Sequence, residues 1–198
     1  SWVGTENLSY LFYDDPALVE EMVEFNADFL IALVERALGD VEFDYFNFFE
    51  DCAGKGGPLF GPELFRKFFM KPYRRIIDRM RRAGIRSFWV DCDGDPEAIV
   101  SLWMDAGITC FWPLEQASGM DPLMLRRKYG KSLTLCGGLD KMEIAKGRKA
   151  IDLELNKKIP PLVEQGGYIP HIDHAIHPDI SYDDFMYYMD VKRKLTGH

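Results

Sequence analysis

The chain has 198 residues, a length that suits one domain with a sizeable core. Hydrophobic residues make up 47% and aromatics 14%, which excludes a disordered chain. The net charge of -8 argues against nucleic acid as a partner, because phosphate contacts need clustered Lys and Arg; no apolar run approaches the ~20 residues that cross a bilayer.

The opening residues, "SWVGTENLSY", carry neither the basic nor the apolar region of a secretory signal, so a cytoplasmic protein is expected. Residues 14 to 39 place apolar side chains at helical spacing, with Asp14 or Asp15 as N-cap, Pro16 in the first turn and Gly39 at the end. Residues 41 to 51 are aromatic-rich and read as a strand. A long amphipathic helix follows over 61 to 84. Pro72 should kink or divide it, and its basic face over 74 to 82 reads as solvated.

The alternation then continues. Strands are predicted over 85 to 94, 108 to 115, 132 to 140 and 168 to 173. Helices fall between and after them, over 95 to 107, 121 to 130, 149 to 167 (broken near Pro160) and 181 to 195. Ser181, with Asp184 three residues on, should cap the last of these. Five strands alternating with helices imply parallel βαβ units in an α/β fold. The segment "EDCAGKGG" matches neither glycine-rich nucleotide motif, so a (β/α)8 TIM barrel is favoured over an open doubly wound sheet. Only about five βα units of such a barrel are present. A single domain over 1 to 198 is expected, its first strands lying before Ser1.

Every predicted strand ends on polar residues: Glu50 and Asp51, Asp91 and Asp93, Glu115, Cys136 with Asp140 beyond it, and Asp173 with His174. In a barrel these tips share one face, where such enzymes bind substrate. Period-two alternation points Asn47, Phe49 and Asp51 to one face, leaving Glu50 with the wrong parity. It also points Ser87, Trp89, Asp91 and Asp93 inward, and Ser132, Thr134 and Cys136 likewise. Three of the four histidines, His171, His174 and His177, sit three apart. Pro170 and Pro178 exclude a helix there. Period two then separates His171 from His174, and a three-histidine metal cluster is not expected. His174 lands at the mouth, where an imidazole can move protons near neutral pH. His171 and His177 read as structural or surface residues. The four cysteines, Cys52, Cys92, Cys110 and Cys136, form no CxxC pair and read as reduced thiols.

The segments "FFEDCAGKGGPLFGPELFRKFFMKPYRRII", "WVDCDGD", "FWPLE…GMD…LRRKYGKSLTLCGGLD" and "GGYIPHIDHAIHPDIS" resemble the uroporphyrinogen decarboxylase superfamily, from about Leu8 to Leu195. That superfamily has a (β/α)8 fold. It includes the haem-pathway decarboxylase and zinc-dependent methyltransferases acting on methyl-corrinoids. In the decarboxylase, a serine that contacts a substrate carboxylate falls where this chain has Asp51, and a site histidine matches His174. The resemblance implies a cytoplasmic homodimer acting, without a cofactor, on a small carboxylated, porphyrinogen-like substrate.

On that reading His174, Asp51 and Asp93 are the catalytic candidates, and Asp91, Glu115, Cys136 and Asp173 the substrate-binding ones. The alternative is a methyltransferase whose partner is a corrinoid protein. Its zinc motif HxCG is "DCDG" here, so Asp91, Asp93, Glu115 and His174 would have to hold a divalent metal by an oxygen-rich set. A second alternative is an inactive barrel section that serves as a binding or assembly partner through its open sheet edges.

Overall fold

The computed structural model describes residues 2 to 197; Ser1, before which the missing strands were expected, and His198 lie outside the described residues. A helix that was not predicted, α1 (Thr5–Asp14), precedes α2 (Pro16–Leu38), which is the helix predicted over 14 to 39. Asp15 separates them. Its backbone leaves helical geometry, and its carboxylate accepts from the Leu18 amide at 3.1 Å, with Pro16 at the first helical position.

The five strands are β1 (Tyr45–Phe49), β2 (Ser87–Asp91), β3 (Cys110–Trp112), β4 (Thr134–Cys136) and β5 (Tyr168–Ile169). All pair parallel, each with the next one in the chain. A doubly wound sheet has to reverse strand order at a switch point. Here the order runs one way, as consecutive strands of a (β/α)8 barrel do. A short antiparallel hairpin, Ala53–Gly54 with Gly57–Pro58, follows β1.

Between β1 and β2, helical residues run without interruption from Pro62 to Arg82 and are called α3. Phe65–Phe69 form a π-helical turn, with Met70 and Lys71 between it and Pro72. The helix continues through Pro72, so the proline does not divide it. The basic face also differs from expectation. Arg75 pairs with Glu24 and Asp28, and Arg79 with Glu35 at 2.7 Å, so these cations tie α3 to α2.

The remaining helices are α4 (Glu97–Ala106), α5 (Pro122–Tyr129), α6 (Lys141–Ile144), α7 (Arg148–Gln165) and α8 (Tyr182–Thr196). No break occurs in α7, although Pro160 and Pro161 lie inside it. The carbonyls these prolines leave unpaired belong to Asn156 and Lys157, which are exposed and can bond water. Ser181 caps α8 through the Asp184 amide at 3.1 Å, as predicted.

Strand alternation decides the layers. Phe88 and Val90 of β2 are fully buried toward the helices, as are Phe111 and Leu135 of the next two strands. They meet Ile77, Met80, Trp103, Leu155 and Ile159 in one continuous core. Each such side chain contributes roughly 1.5–3 kcal/mol on burial. Among the described residues no helix is long and apolar enough to cross a membrane.

Candidate functional site

The parallel order puts all five strand tips on one side. The loops beyond them are locked together by close backbone approach. A Cβ on Gly94 would lie 2.5 Å from the Ala53 carbonyl oxygen, so only glycine lets the loop after β2 lie on the loop after β1. Gly137, after β4, likewise faces the Pro113 carbonyl of the loop after β3.

Four of the predicted site residues gather where β1, β2 and the segment after β5 meet. His174 Nδ1 accepts from the Ala175 amide at 2.9 Å, which places the ring proton on Nε2. That nitrogen lies 3.6 Å from Asp93 Oδ2, and both side chains are about half exposed. Asp91, half-buried at the end of β2, has its carboxyl pushed up to about 6. Burial is the main cause; the charge of Asp93 adds to it, His174 opposes it, and Asp51 contributes a smaller upward push. Asp51, Asp91, Asp93 and His174 are thus one electrostatic cluster facing solvent.

The other predicted residues have different surroundings. Glu115 accepts from the Gly94 amide at 2.8 Å and the Ser118 hydroxyl at 3.1 Å, joining the loops after β3 and β2. Asp173 is 1% exposed. Its two oxygens accept from the Gln116 amide at 2.8 Å and the Lys141 amide at 3.0 Å. Asp140 caps α6 through the Met142 amide. Cys136 lies on the inner face with Asn47, Trp89, Trp112 and His171, its thiol pushed up to about 11 by burial. Among the described residues no three of His, Cys, Asp or Glu converge as an ion-binding group, so the oxygen-rich set of Asp91, Asp93, Glu115 and His174 is not assembled. Glu115 is engaged by the Gly94 amide and the Ser118 hydroxyl.

Several neighbours of the site were not foreseen. His171, expected to be structural or on the surface, is exposed and stands on the inner wall, edge-on to Trp112 at 6.4 Å. Ile169 pairs with inward Cys136, and His171, two residues on, continues that face. Glu50 does turn to the helix side, where it accepts from Tyr73 Oη at 2.5 Å and burial raises its carboxyl. Lys158 and Glu154, one helical turn apart on α7, form a buried ion pair beneath the loops after β3 and β4. Lys158 Nζ also reaches Gln116 Oε1 at 2.7 Å and the Gly138 carbonyl at 2.8 Å, and Glu154 accepts from the Asp140 amide. Buried Cys52 and Cys92 face each other with sulfurs 3.9 Å apart. The shared hydrogen bond lowers one thiol, Cys92, and raises the other.

Comparison with known proteins bears on this arrangement. Residues 1–195 match the sequence profile of the family described as "Uroporphyrinogen decarboxylase (URO-D)". The chain belongs to the uroporphyrinogen decarboxylase family. A protein of Maricaulis maris (strain MCS10) named uroporphyrinogen decarboxylase is 28% identical over 124 residues. That match takes in 59% of this chain and 33% of the relative, so the chain spans about a third of the relative's length. Membership agrees with the TIM-barrel order of the five strands, and the family segments quoted from the sequence contain the clustered tips.

Proposed function

We propose that the mouth formed by Asp51, Asp91, Asp93 and His174 serves cofactor-free decarboxylation of a small carboxylated molecule of the porphyrinogen type. Family membership supports the reaction class. The observation that carries the residue assignment is the His174–Asp93 pair, with the ring proton on Nε2 and that nitrogen at the mouth. Loss of carbon dioxide leaves an electron pair on carbon, and a proton must be delivered to it. The Asp91 carboxyl, protonated in acidic solution up to about pH 6, supplies that proton and regains one from water. His174, a neutral ring whose Nδ1 accepts an amide, donates a hydrogen bond from Nε2–H to the reacting group beside Asp93.

The three aspartates also restrict how substrate binds. Substrate carboxylates are repelled by them and must be held by cations or N–H donors on another side of the ligand. The same reading carries a cytoplasmic location and a homodimer. The test is His174→Ala, assayed for loss of carboxyl groups from a porphyrinogen. Turnover should fall about 10²–10³-fold, the usual contribution of a positioned hydrogen-bond donor, with an unchanged thermal melt. Full activity in the variant removes His174 from the reaction. A wild-type protein that decarboxylates neither porphyrinogens nor smaller polycarboxylates removes the reading itself.

A further inference from the structure

We propose that Cys52 and Cys92 are an oxidation site, a thiol pair poised to form a disulfide that clamps the tips of β1 and β2 beneath the acidic mouth. The inference is independent of which reaction the mouth performs.

The argument rests on how the two thiols are held. They lie forty positions apart in sequence, yet their sulfurs are 3.9 Å apart in the fold. Backbone hydrogen bonds bracket them on both sides. The Glu50 amide donates to the Asp91 carbonyl at 2.7 Å before the pair, and the Asp95 amide donates to the Gly54 carbonyl at 3.0 Å after it. The contact of Gly94 with Ala53 presses the same two loops together. The two chain segments are therefore held side by side with the sulfurs in contact. Forming the bond brings the sulfurs from 3.9 Å to about 2.05 Å.

Access is also provided. Cys92 is 1% exposed, but Cys52 is 8% exposed and lines a cavity of about 470 Å³ between the sheet, α1, α2 and α3. That cavity admits a small hydroperoxide. Cys110 and Cys136, the other two cysteines, are each buried and neither is bonded to another sulfur.

The chemistry balances with a hydroperoxide as oxidant. One sulfur attacks the O–O bond, takes one oxygen as a sulfenic acid and releases water or an alcohol. The partner sulfur displaces that oxygen as water, forming the S–S bond. Two thiols lose two protons and two electrons, and one hydroperoxide is reduced. The bond also removes the Cys92 S–H that reaches the Asp93 carbonyl at 3.2 Å, so oxidation changes the support of the Asp93 loop.

The test uses the full chain, reduced and then treated with hydrogen peroxide. After alkylation in denaturant and digestion without reductant, mass spectrometry should find one cross-linked pair containing Cys52 and Cys92, lighter by two hydrogens than the separate peptides. Cys110 and Cys136 should be alkylated. Cys52→Ser and Cys92→Ser should each abolish the cross-link. In the wild type itself, dithiothreitol should reverse both the cross-link and a rise in melting temperature, which keeps the test sound should either variant fold poorly. Recovery of both thiols fully alkylated after peroxide, oxidation that stops at sulfinic acid, or a cross-link joining any other pair would overturn the assignment.

Discussion

The carboxylates at the tips of β1 and β2 and those at the tips of β3, β4 and β5 come from similar sequence contexts but have opposite surroundings. Asp51, Asp91 and Asp93 face solvent and one another, with His174 across from them. Glu115 and Asp173 accept backbone amides of neighbouring loops, Asp140 caps its own helix, and Lys158 with Glu154 braces those loops from below. A carboxylate saturated by backbone N–H groups is a structural fastener. One that accepts no backbone amide is available for chemistry. The difference teaches that an acidic strand tip is not a functional signal until its hydrogen-bond partners are known.

The sharpest way to break this comparison is to remove the brace. Lys158→Met leaves the Glu154 carboxylate buried without its cation and should cost about 3–5 kcal/mol of stability, read by urea denaturation. A loss under about 1 kcal/mol would show that the loops after β3 and β4 do not depend on the pair. Next in size, Asp173→Ala strips the acceptor from the Gln116 and Lys141 amides. It should cost about 2–4 kcal/mol in the same measurement.

The smallest effect belongs to the open half. Asp91 in the folded chain keeps its proton to about pH 6, whereas its carboxyl ordinarily releases it near 3.8. Between those values the folded state binds more protons than the unfolded one, so stability falls as pH rises through that window. Asp91 is partly solvated, so the slope is shallow. Asp91→Asn should remove it, seen as melting temperatures that diverge from wild type between about pH 4 and 6. Parallel curves would mean that Asp91 ionises like an isolated carboxylate and that the cluster is not electrostatically coupled.

Much of the fold was legible because it rests on short-range patterns. Strand parity in "SFWVDCD" put Phe88 and Val90 into the helix layer and Asp91 at the inner mouth, and Asp15 and Ser181 cap the helices they precede. Proline was read less well. Helix α3 runs on through Pro72, and Pro160 and Pro161 sit in an unbroken helix whose Asn156 and Lys157 are exposed. The second outcome depends on which side of the helix meets solvent, which local sequence does not state.

The amino-acid order alone determined the alternation of strands and helices and the set of polar tips, since each follows from side-chain period and capping chemistry. Only the tertiary structure decided which tips are occupied and which are open, that His171 lines the inner wall, and that Cys52 faces Cys92. Those facts depend on partners tens of residues away, brought together by parallel pairing and by glycines that let one loop lie on the next. No local pattern encodes a hydrogen-bond partner supplied by another strand.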